Sequence, residues 1–371
     1  MGLGGVSVAS DYPEVSKDEL ERILNSLKKR FQNGDYPNYK ERIDRINRLK
    51  LLVEENSEDF HKALQNDFGT RHEQLSLLSD TLPIIASAKH ISKNLSKWMK
   101  PEKRKPNFPL GLLGAKAFIH NQPYGVVGII SPWNFPLNLS LGPLVEVFAA
   151  GNNAMMKLSE FVPETSDLTE KLVKEYFNDD EVVVINGGPQ TSQSFAGLAF
   201  DHLLFTGSTH IAKKIAYEAS ENLVPLTLEL GGKSPVIVGP KAKMKKSVDK
   251  IMMGKLLNAG QICISPDYVF LPEGKENEFV EHAKSYVQES YETLKNNPDY
   301  TSIIHLNHYE RLRSYISDAK SKGAEIVEIN PANEDLTQQE HHKIPPTLIL
   351  NPTDDMEVMK NEIFGPILPV M

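Results

Sequence analysis

The chain has 371 residues, of which 40% are hydrophobic and 24% charged, which is ordinary for a globular protein of about two domains. Asp and Glu outnumber Lys and Arg by 49 to 41, so the formal net charge is −8. This charge argues against a general nucleic-acid-binding function, because such proteins need cations to neutralise phosphates. The single cysteine excludes a disulfide framework, and the 11 histidines show no HExxH pattern, so we expect no metal site.

The N-terminal residues do not predict export. The start, MGLGGVSVAS, lacks the basic region and the long apolar core of a signal peptide. The most apolar long stretch, 139–156, contains Glu146, Asn152 and Asn153, and it is too short and too polar to span a bilayer. We therefore expect a cytoplasmic protein that does not cross a membrane.

The N-terminal quarter is predicted to be helical, because apolar residues recur there every three or four positions. In the first helix, Ser16 and Glu19 form a capping-box pattern at the start, and Gly34 follows the end. The predicted helical segments are 16–33, 43–53, 57–69 and 75–98. These helices could form a bundle of their own, or they could pack on a sheet formed later in the chain.

Farther along, strands alternate with helices. The run AKAFIHNQPYGVVGII predicts two strands around NQP. The β–α alternation is typical of a doubly wound parallel sheet, which binds ligands beyond the carboxyl ends of its strands. A change of pattern near 228–232 separates two predicted α/β domains, 1–229 and 230–371. The predicted strands that a helix follows are 126–130, 154–156, 182–185 and 203–205.

The first two of these strands are followed by side chains that could take part in chemistry. Asn134 lies between two prolines in SPWNFP, where its amide suits an oxyanion hole. An Asn that bonds its own turn is an equal alternative. In KLSE, Glu160 could accept a hydrogen bond from a ribose 2′-hydroxyl and Lys157 could donate to ribose or phosphate. Ser159 and Glu160 could instead cap the next helix.

Three later motifs remain ambiguous when each is taken alone. In TGSTHIA, Gly207 and Ser208 predict a helix start whose amides suit a pyrophosphate. Glu229 lies in the apolar run PLTLEL, where burial would raise its pKa and make it a general base, although pairing with a cation is commoner. Cys263, in NAGQICISPDYVF, could be a nucleophile, although a small buried hydrophobe is the commoner role of a single cysteine.

Together, SPWNFP, KLSE, FTGST, LELGGKSP, GQICISPDY and NEIFGP have an order and spacing that resembles the aldehyde dehydrogenase superfamily. The likeness runs from about residue 15 to the last residue. The short N-terminal lead and Pro266-Asp267-Tyr268 look most like the class 3 branch, which includes coniferyl and fatty aldehyde dehydrogenases. The resemblance implies an NAD-binding domain with a doubly wound parallel sheet and a catalytic α/β domain, with residues 117–128 in a bridging or oligomerisation sheet.

The resemblance also implies the roles of individual residues. Cys263 would attack an aldehyde and carry a thiohemiacetal and then a thioester. Asn134 would hold the oxyanion, and Glu229 would activate the hydrolytic water. The implied cofactor is NAD, with NADP as the alternative that class 3 relatives often also use; Glu160 favours NAD because its charge would meet a 2′-phosphate. The residues implied to bind the cofactor are Trp133, Lys157, Glu160, Gly207, Ser208, Leu230, Glu362 and Phe364.

The chain departs from the family pattern in three places. Ala212 replaces a usual glycine, Leu158 replaces the proline of KPSE, and the chain stops at Met371, where the family continues. We therefore expect weak or no activity, and a homodimer only with a further C-terminal segment. The alternatives are a non-catalytic dinucleotide-binding remnant and a coenzyme A-acylating enzyme, against which Glu229 argues. A cysteine hydrolase would leave the strand-end groups unexplained.

Overall fold

A computed structural model describes residues 12–371, and these residues divide into two units. The N-terminal unit comprises residues 12–60 and Leu77–Glu229, and the C-terminal unit comprises His61–Ser76 and Leu230–Met371. Each unit contains its own five-stranded sheet. Within residues 12–371, no helix is long and apolar enough to cross a membrane.

Helices and strands alternate through most of the chain. The α-helices are α1 Lys17–Gln32, α2 Tyr39–Glu55, α3 Ser57–Phe68, α4 Glu73–Ser76, α5 Leu82–Trp98, α6 Asn138–Ala150, α7 Pro163–Tyr176, α8 Pro189–Ala196, α9 Thr209–Ser220, α10 Met244–Leu256, α11 Glu276–Ser290, α12 Leu306–Ser321 and α13 Glu357–Lys360. The strands are β1 Glu102–Arg104, β2 Ala117–Ile119, β3 Val126–Ile130, β4 Asn153–Lys157, β5 Val182–Ile185, β6 His202–Gly207, β7 Leu226–Leu230, β8 Pro235–Ile237, β9 Tyr268–Phe270, β10 Glu325–Glu328, β11 Thr347–Leu350 and β12 Ile367–Val370.

The sheet of the N-terminal unit has the order β5-β4-β3-β6-β7. Strands β3 to β6 are parallel, and β3 and β4 are buried along their whole length, which explains their continuous apolar sequences. The chain runs outward from β3 to β5 and then returns to the other side of β3. The strand order therefore reverses between β3 and β6, and the predicted doubly wound sheet is confirmed.

Helices α1, α2 and α5 pack in the layer on this sheet and do not form a separate bundle, whereas α4 and most of α3 belong to the C-terminal unit. Helix α1 contacts β3 and β4, and α2 packs against α6, which also lies on the sheet. The predicted start of α1 is confirmed, because the Ser16 side chain accepts a hydrogen bond from the Glu19 N–H at 3.3 Å.

The predicted helical segment 75–98 is confirmed, since every residue from Glu73 to Trp98 is helical. A π-helical turn, Leu77–Thr81, separates α4 from α5. Pro83 lies in the first turn of α5 and has no N–H to continue the hydrogen-bond ladder of a preceding helix. The apolar periodicity runs through both segments, so it did not indicate the interruption.

A buried ion cluster anchors the start of β4. Arg45 is 1% exposed, and its guanidinium donates to Glu181 at 2.9 Å and to the Asn153 side chain at 3.0 Å. Arg48 donates to the same Glu181 carboxylate at 2.7 Å. Helix α2 is thereby tied to the strand that ends at Lys157.

The sheet of the C-terminal unit has the order β10-β11-β12-β9-β8. Strands β8, β9, β12 and β11 are parallel, and β10 pairs antiparallel with β11. Apolar side chains of α10 and α11 cover this sheet, and Val248, Phe279 and Val269 belong to the same buried cluster. The unit thus has its own hydrophobic core.

Two predicted pairs of neighbouring strands separate into different sheets. The strands around NQP both form, but β2 pairs antiparallel with β1, whereas β3 is central in the N-terminal sheet. Likewise, β7 joins the N-terminal sheet and β8 joins the C-terminal one. Sequence patterns predicted these strands but not their partners.

Candidate active site

The groups that follow β3, β4 and β6 lie at one edge of the N-terminal sheet, because these strands are parallel. Ser131–Asn134 follow β3, Lys157–Glu160 end and follow β4, and Gly207–Ser208 end and follow β6. The strand order reverses between β3 and β6, and ligands of doubly wound sheets bind at such a switch point.

Asn134 is held in the turn between β3 and α6. Its side chain is 3% exposed, next to the half-buried Trp133 and the buried Phe135. The turn is fixed to the neighbouring strand, because the Ser131 N–H donates to the Lys157 carbonyl at 3.1 Å. The structure therefore supplies a side-chain amide with a fixed position at the switch point.

Lys157 and Glu160 form a partly buried ion pair. The Lys157 ammonium is 3.1 Å from Glu160 and donates to the Leu158 carbonyl at 2.6 Å. Burial lowers the pKa of Lys157, and Glu160 opposes this shift. The Glu160 carboxylate thus favours the charged form of Lys157.

The alternative that Ser159 and Glu160 cap the next helix is wrong. Helix α7 begins at Pro163, and its N-cap residue, Val162, makes no side-chain capping bond. Proline fits this first helical position because it has no N–H to satisfy. The Ser159 hydroxyl accepts from the Phe161 N–H at 3.3 Å within the preceding turn. Glu160 is thus not engaged at the helix start.

The start of α9 confirms the predicted cap. The Ser208 side chain accepts from the Ile211 N–H at 3.4 Å, and Ser208 itself is exposed. A Cβ on Gly207 would lie 2.6 Å from the Phe205 ring, so this position has no room for a side chain. Ala212 is 2% exposed, so α9 accommodates a methyl group where the family usually has glycine.

The expectation that Glu229 lies buried in an apolar strand is wrong. Strand β7 forms, but it is the edge strand of its sheet and Glu229 is exposed. Within residues 12–371 Glu229 makes no salt bridge, so the alternative of a paired carboxylate is not found either. The half-buried Leu230 ends the strand. Glu229 therefore presents an open carboxylate that can contact water.

In the C-terminal unit, Cys263 follows an unusual turn. Asn258, Ala259 and Gly260 have φ angles of 50°, 51° and 75°, so three consecutive residues are left-handed. Left-handed backbone costs a non-glycine residue about 1–2 kcal/mol. Backbone strain of this kind is concentrated at functional sites, where the surrounding contacts maintain it. The partly exposed Cys263 is the chain's only cysteine.

The buried Gln261 side chain locks this turn. Its amide nitrogen donates to the Asn258 and Ser302 carbonyls, both at 3.0 Å. Its oxygen accepts from the Ile304 N–H at 3.0 Å. Gln261 is fully buried, so these bonds do not compete with water. The backbone that leads to Cys263 is therefore fixed before any substrate binds.

The segment that carries Glu362 contacts the same turn. A Cβ on Gly260 would lie 2.3 Å from the Gly365 carbonyl oxygen. Glu362 is half-buried, and its carboxylate accepts from the Gly232 N–H at 3.2 Å. Burial raises the pKa of Glu362, although the Gly232 hydrogen bond opposes the shift. Phe364, with a φ of 52°, is half-buried in the same segment.

Three charged residues hold the Glu362 segment in place. None of them was assigned a role from the sequence. Lys233 pairs with Asp267 and donates to the Asn361 carbonyl at 3.0 Å. Asp267 accepts from the Ile363 N–H at 2.9 Å, and Arg311 donates to the Ile363 carbonyl at 2.9 Å. Lys233 and Asp267 lie inside LELGGKSP and GQICISPDY, so these motifs contained the signal for two of them.

The site groups of the C-terminal unit lie at the amino ends of its strands. Gly232, Cys263 and Glu362 precede β8, β9 and β12, which are parallel neighbours. The site groups were expected beyond the carboxyl ends of the strands. In the N-terminal unit they lie there. The rule for doubly wound sheets therefore describes only one of the two units.

The residues at the N-terminal edge fit a dinucleotide. The Lys157–Glu160 pair offers one donor and one acceptor for ribose hydroxyls. The first N–H groups of α9 follow a neutral cap residue, Ser208, and can donate hydrogen bonds to a diphosphate. Glu362, with its half-buried carboxylate, offers a further acceptor in the C-terminal unit.

Comparisons with known proteins agree with this arrangement. A model of the aldehyde dehydrogenase family matches residues 6–371. A probable coniferyl aldehyde dehydrogenase of Caulobacter vibrioides is 51% identical over 362 residues, which cover 96% of this chain and 74% of that protein. The coniferyl aldehyde dehydrogenase of Pseudomonas sp. (strain HR199) is 44% identical over 370 residues, which cover 100% of this chain and 75% of that protein.

A solved structure is also similar to this chain. The substrate-bound state of Staphylococcus aureus AldH superposes with a TM-score of 0.88 at 34% identity, and the match covers 95% of this chain and 75% of that one. The chain thus spans about three quarters of the length of these relatives. The resemblance inferred from six short motifs is confirmed: the chain belongs to the aldehyde dehydrogenase family.

Proposed function

We propose that this chain oxidises an aldehyde to a carboxylic acid with NAD as the cofactor. The observation that carries the proposal is the left-handed turn, locked by Gln261, that presents the only cysteine next to the Glu362 segment. Because two relatives are named for coniferyl aldehyde, we propose conjugated aromatic aldehydes as the first substrates to test.

In the first half of the reaction, the Cys263 thiol gives up its proton to water, and the thiolate sulfur adds to the aldehyde carbon. A C–S bond forms, and the carbonyl π-electrons move to oxygen. The Asn134 amide and the Cys263 N–H stabilise that oxyanion, which is the main electrostatic demand of such a step. A bound nicotinamide cofactor would supply the acceptor for the hydride of the same carbon. Loss of that hydride re-forms the C=O bond and leaves a thioester on Cys263.

In the second half, a water molecule cleaves the thioester. Glu229 takes one proton from the water, whose oxygen attacks the acyl carbon. The C–S bond breaks, the acid leaves and the proton returns to the Cys263 sulfur. The exposure of Glu229 supports this role, because its carboxylate can reach water.

Several side chains would hold the cofactor. We assign the adenosine ribose to Lys157 and Glu160, and the diphosphate to the helix start at Gly207 and Ser208. Glu362 would hold the second ribose. The half-buried Trp133, Leu230 and Phe364 would line the remaining cofactor surface.

The test is to trap the acyl-enzyme. The purified chain, incubated with NAD and coniferyl aldehyde, should gain the mass of the acyl group on the peptide that contains Cys263. Glu229→Gln should accumulate this adduct, because hydrolysis is slowed more than acylation. Cys263→Ser is the matched control and should gain no thioester.

Two results would contradict this proposal. A wild-type chain that binds NAD but never acylates would remove Cys263 as the nucleophile. A turnover that rises strongly with coenzyme A would indicate that the acyl group is transferred to coenzyme A and not to water.

We further propose that the small sheet β1–β2 forms a homodimer contact. Its strands are mostly exposed, and Phe118 and Ile119 are 49% and 43% exposed. Apolar side chains on a two-stranded sheet gain stability when a partner covers them. Sedimentation should show a dimer that Phe118→Ser weakens, and an unchanged monomer for both chains would contradict this proposal.

A further inference from the structure

We infer that Glu14 is a second residue by which this chain selects NAD over NADP. The inference rests on the proposed function, because it requires the adenosine ribose to lie at Lys157 and Glu160. Glu14 belongs to the N-terminal unit and precedes α1, in a segment to which the sequence motifs assigned no role.

The Glu14 carboxylate occupies the N-terminus of α8. One of its oxygens accepts from the Thr191 N–H at 2.6 Å and from the Thr191 hydroxyl at 2.5 Å. The other accepts from the Gln190 N–H at 3.3 Å. The Val15 N–H donates to the same hydroxyl at 2.8 Å, which fixes the backbone beside Glu14. The carboxylate is therefore held in place although Glu14 is exposed.

Through this contact, Glu14 occupies the N-terminus of α8, which could otherwise bind an anion. The N–H groups at a helix start carry a partial positive charge and attract phosphates. At α8 the anion is already supplied by the chain itself, whereas the cap of α9 is the neutral Ser208. Of these two helix starts, only α9 can give a phosphate its N–H groups without displacing a carboxylate.

Glu14 also lies close enough to Lys157 to act on it. Strands β4 and β5 are adjacent and parallel, with Lys157 opposite Ile185, and α8 begins four residues after Ile185. Both Glu14 and Glu160 favour the charged form of the Lys157 ammonium, and Lys157 in turn favours the charged form of Glu14. The Lys157 ammonium thus pairs with Glu160 and also feels the more distant Glu14 charge, and these three groups sum to one negative charge.

A ribose 2′-hydroxyl is neutral and can donate to a carboxylate, so this arrangement suits NAD. A 2′-phosphate would meet the charges of both Glu14 and Glu160, and it would find the α8 N–H groups occupied. Removing only the Glu14 charge should relieve part of the repulsion, because Glu160 remains. For charges several ångströms apart near a protein surface, the expected gain in NADP affinity is about three- to tenfold.

The experiment compares NAD and NADP binding by titration calorimetry at low ionic strength. The variants are wild type, Glu14→Gln and the control Glu21→Gln. Glu21 is an exposed glutamate on α1 that pairs loosely with Lys17 at 3.8 Å, so its change removes the same charge elsewhere. Glu14→Gln should lower the Kd for NADP about three- to tenfold and change that for NAD less than about twofold. The control should change neither.

Added salt should weaken the wild-type discrimination, because screening reduces the repulsion. Glu14→Ala, which also removes the charge, is the second variant if Glu14→Gln folds poorly. An unchanged ratio of NADP to NAD affinity in a folded Glu14 variant would overturn the inference and leave the proposed function intact. A wild-type chain that binds neither dinucleotide would overturn both.

Discussion

The two carboxylate oxygens of Asp267 serve different partners. One oxygen pairs with Lys233, and the other accepts from the Ile363 N–H at 2.9 Å. Because Ile363 directly follows Glu362, Asp267 fixes the backbone that carries a proposed cofactor ligand. The motif match drew attention to Cys263 and Glu362, but the contact between these distant segments could not be predicted from sequence, because it depends on how β9 and β12 pair.

Replacing Asp267 with Asn should destabilise the C-terminal unit. The amide can still accept from Ile363, but it loses the charge that neutralises Lys233. Since Asp267 is 3% exposed, we expect the free energy of unfolding to fall by about 2–3 kcal/mol. Urea unfolding measures this change, and the Kd for NAD should rise with it.

Asp249→Asn provides the matched control. Asp249 pairs with Lys245 at 3.5 Å on the surface of α10, and both side chains are at least 39% exposed. Exposed pairs of this kind contribute less than about 1 kcal/mol. Equal losses in both variants would contradict the role assigned to Asp267.

At the scale of elements, the turn 258–260 shows what the sequence could and could not predict. Apolar runs predicted β3 to β6, because buried parallel strands have continuous apolar sequences. No pattern predicted three left-handed residues in a row, because two of them, Asn258 and Ala259, are not glycine. Their conformation comes from the Gln261 hydrogen bonds and from the close approach of Gly365.

Two glycines with the same φ angle test this interpretation. Gly260 and Gly274 both have a φ of 75°, but a Cβ at Gly260 would lie 2.3 Å from the Gly365 oxygen, whereas Gly274 has open space around it. Gly274→Ala should therefore cost only the left-handed strain, about 1 kcal/mol. Gly260→Ala should cost more than about 3 kcal/mol, because backbone must move against backbone.

The readouts are the free energy of unfolding in urea and the rate at which iodoacetamide alkylates Cys263. Gly260→Ala should change both, and Gly274→Ala should leave the alkylation rate as in wild type. If both variants behave alike, the close contact between the turn and the Glu362 segment is not what holds Cys263.

At the scale of the whole molecule, stability should depend on pH through histidines of the C-terminal unit. Burial, together with the positive charge of Arg311, lowers the pKa of His308 to about 3. Burial and the neighbouring His342 and Arg311 lower the pKa of His305 to about 4. The two rings lie 4.5 Å apart, so protonating one also disfavours protonating the other.

The free energy of unfolding should fall as the pH drops below about 6.5, because the unfolded chain then binds protons that the folded molecule excludes. For His305 the loss should continue to about pH 4, and for His308 to about pH 3. In His308→Asn, whose amide oxygen can replace the acceptor for Arg311, the loss between about pH 6.5 and pH 4 should be smaller by about 3 kcal/mol. Urea titrations at several pH values measure it, and parallel pH curves for the two chains would contradict the assignment.

The single cysteine also affects how the protein withstands oxidants. Peroxide would convert the partly exposed Cys263 thiol first to a sulfenic acid. A second cysteine nearby could trap that acid as a disulfide and protect it, but this chain contains none. Recovery would then depend on an external reductant such as glutathione. How long the protein stays active under oxidation would thus depend on the concentration of reduced thiols in its surroundings as much as on the stability of its fold.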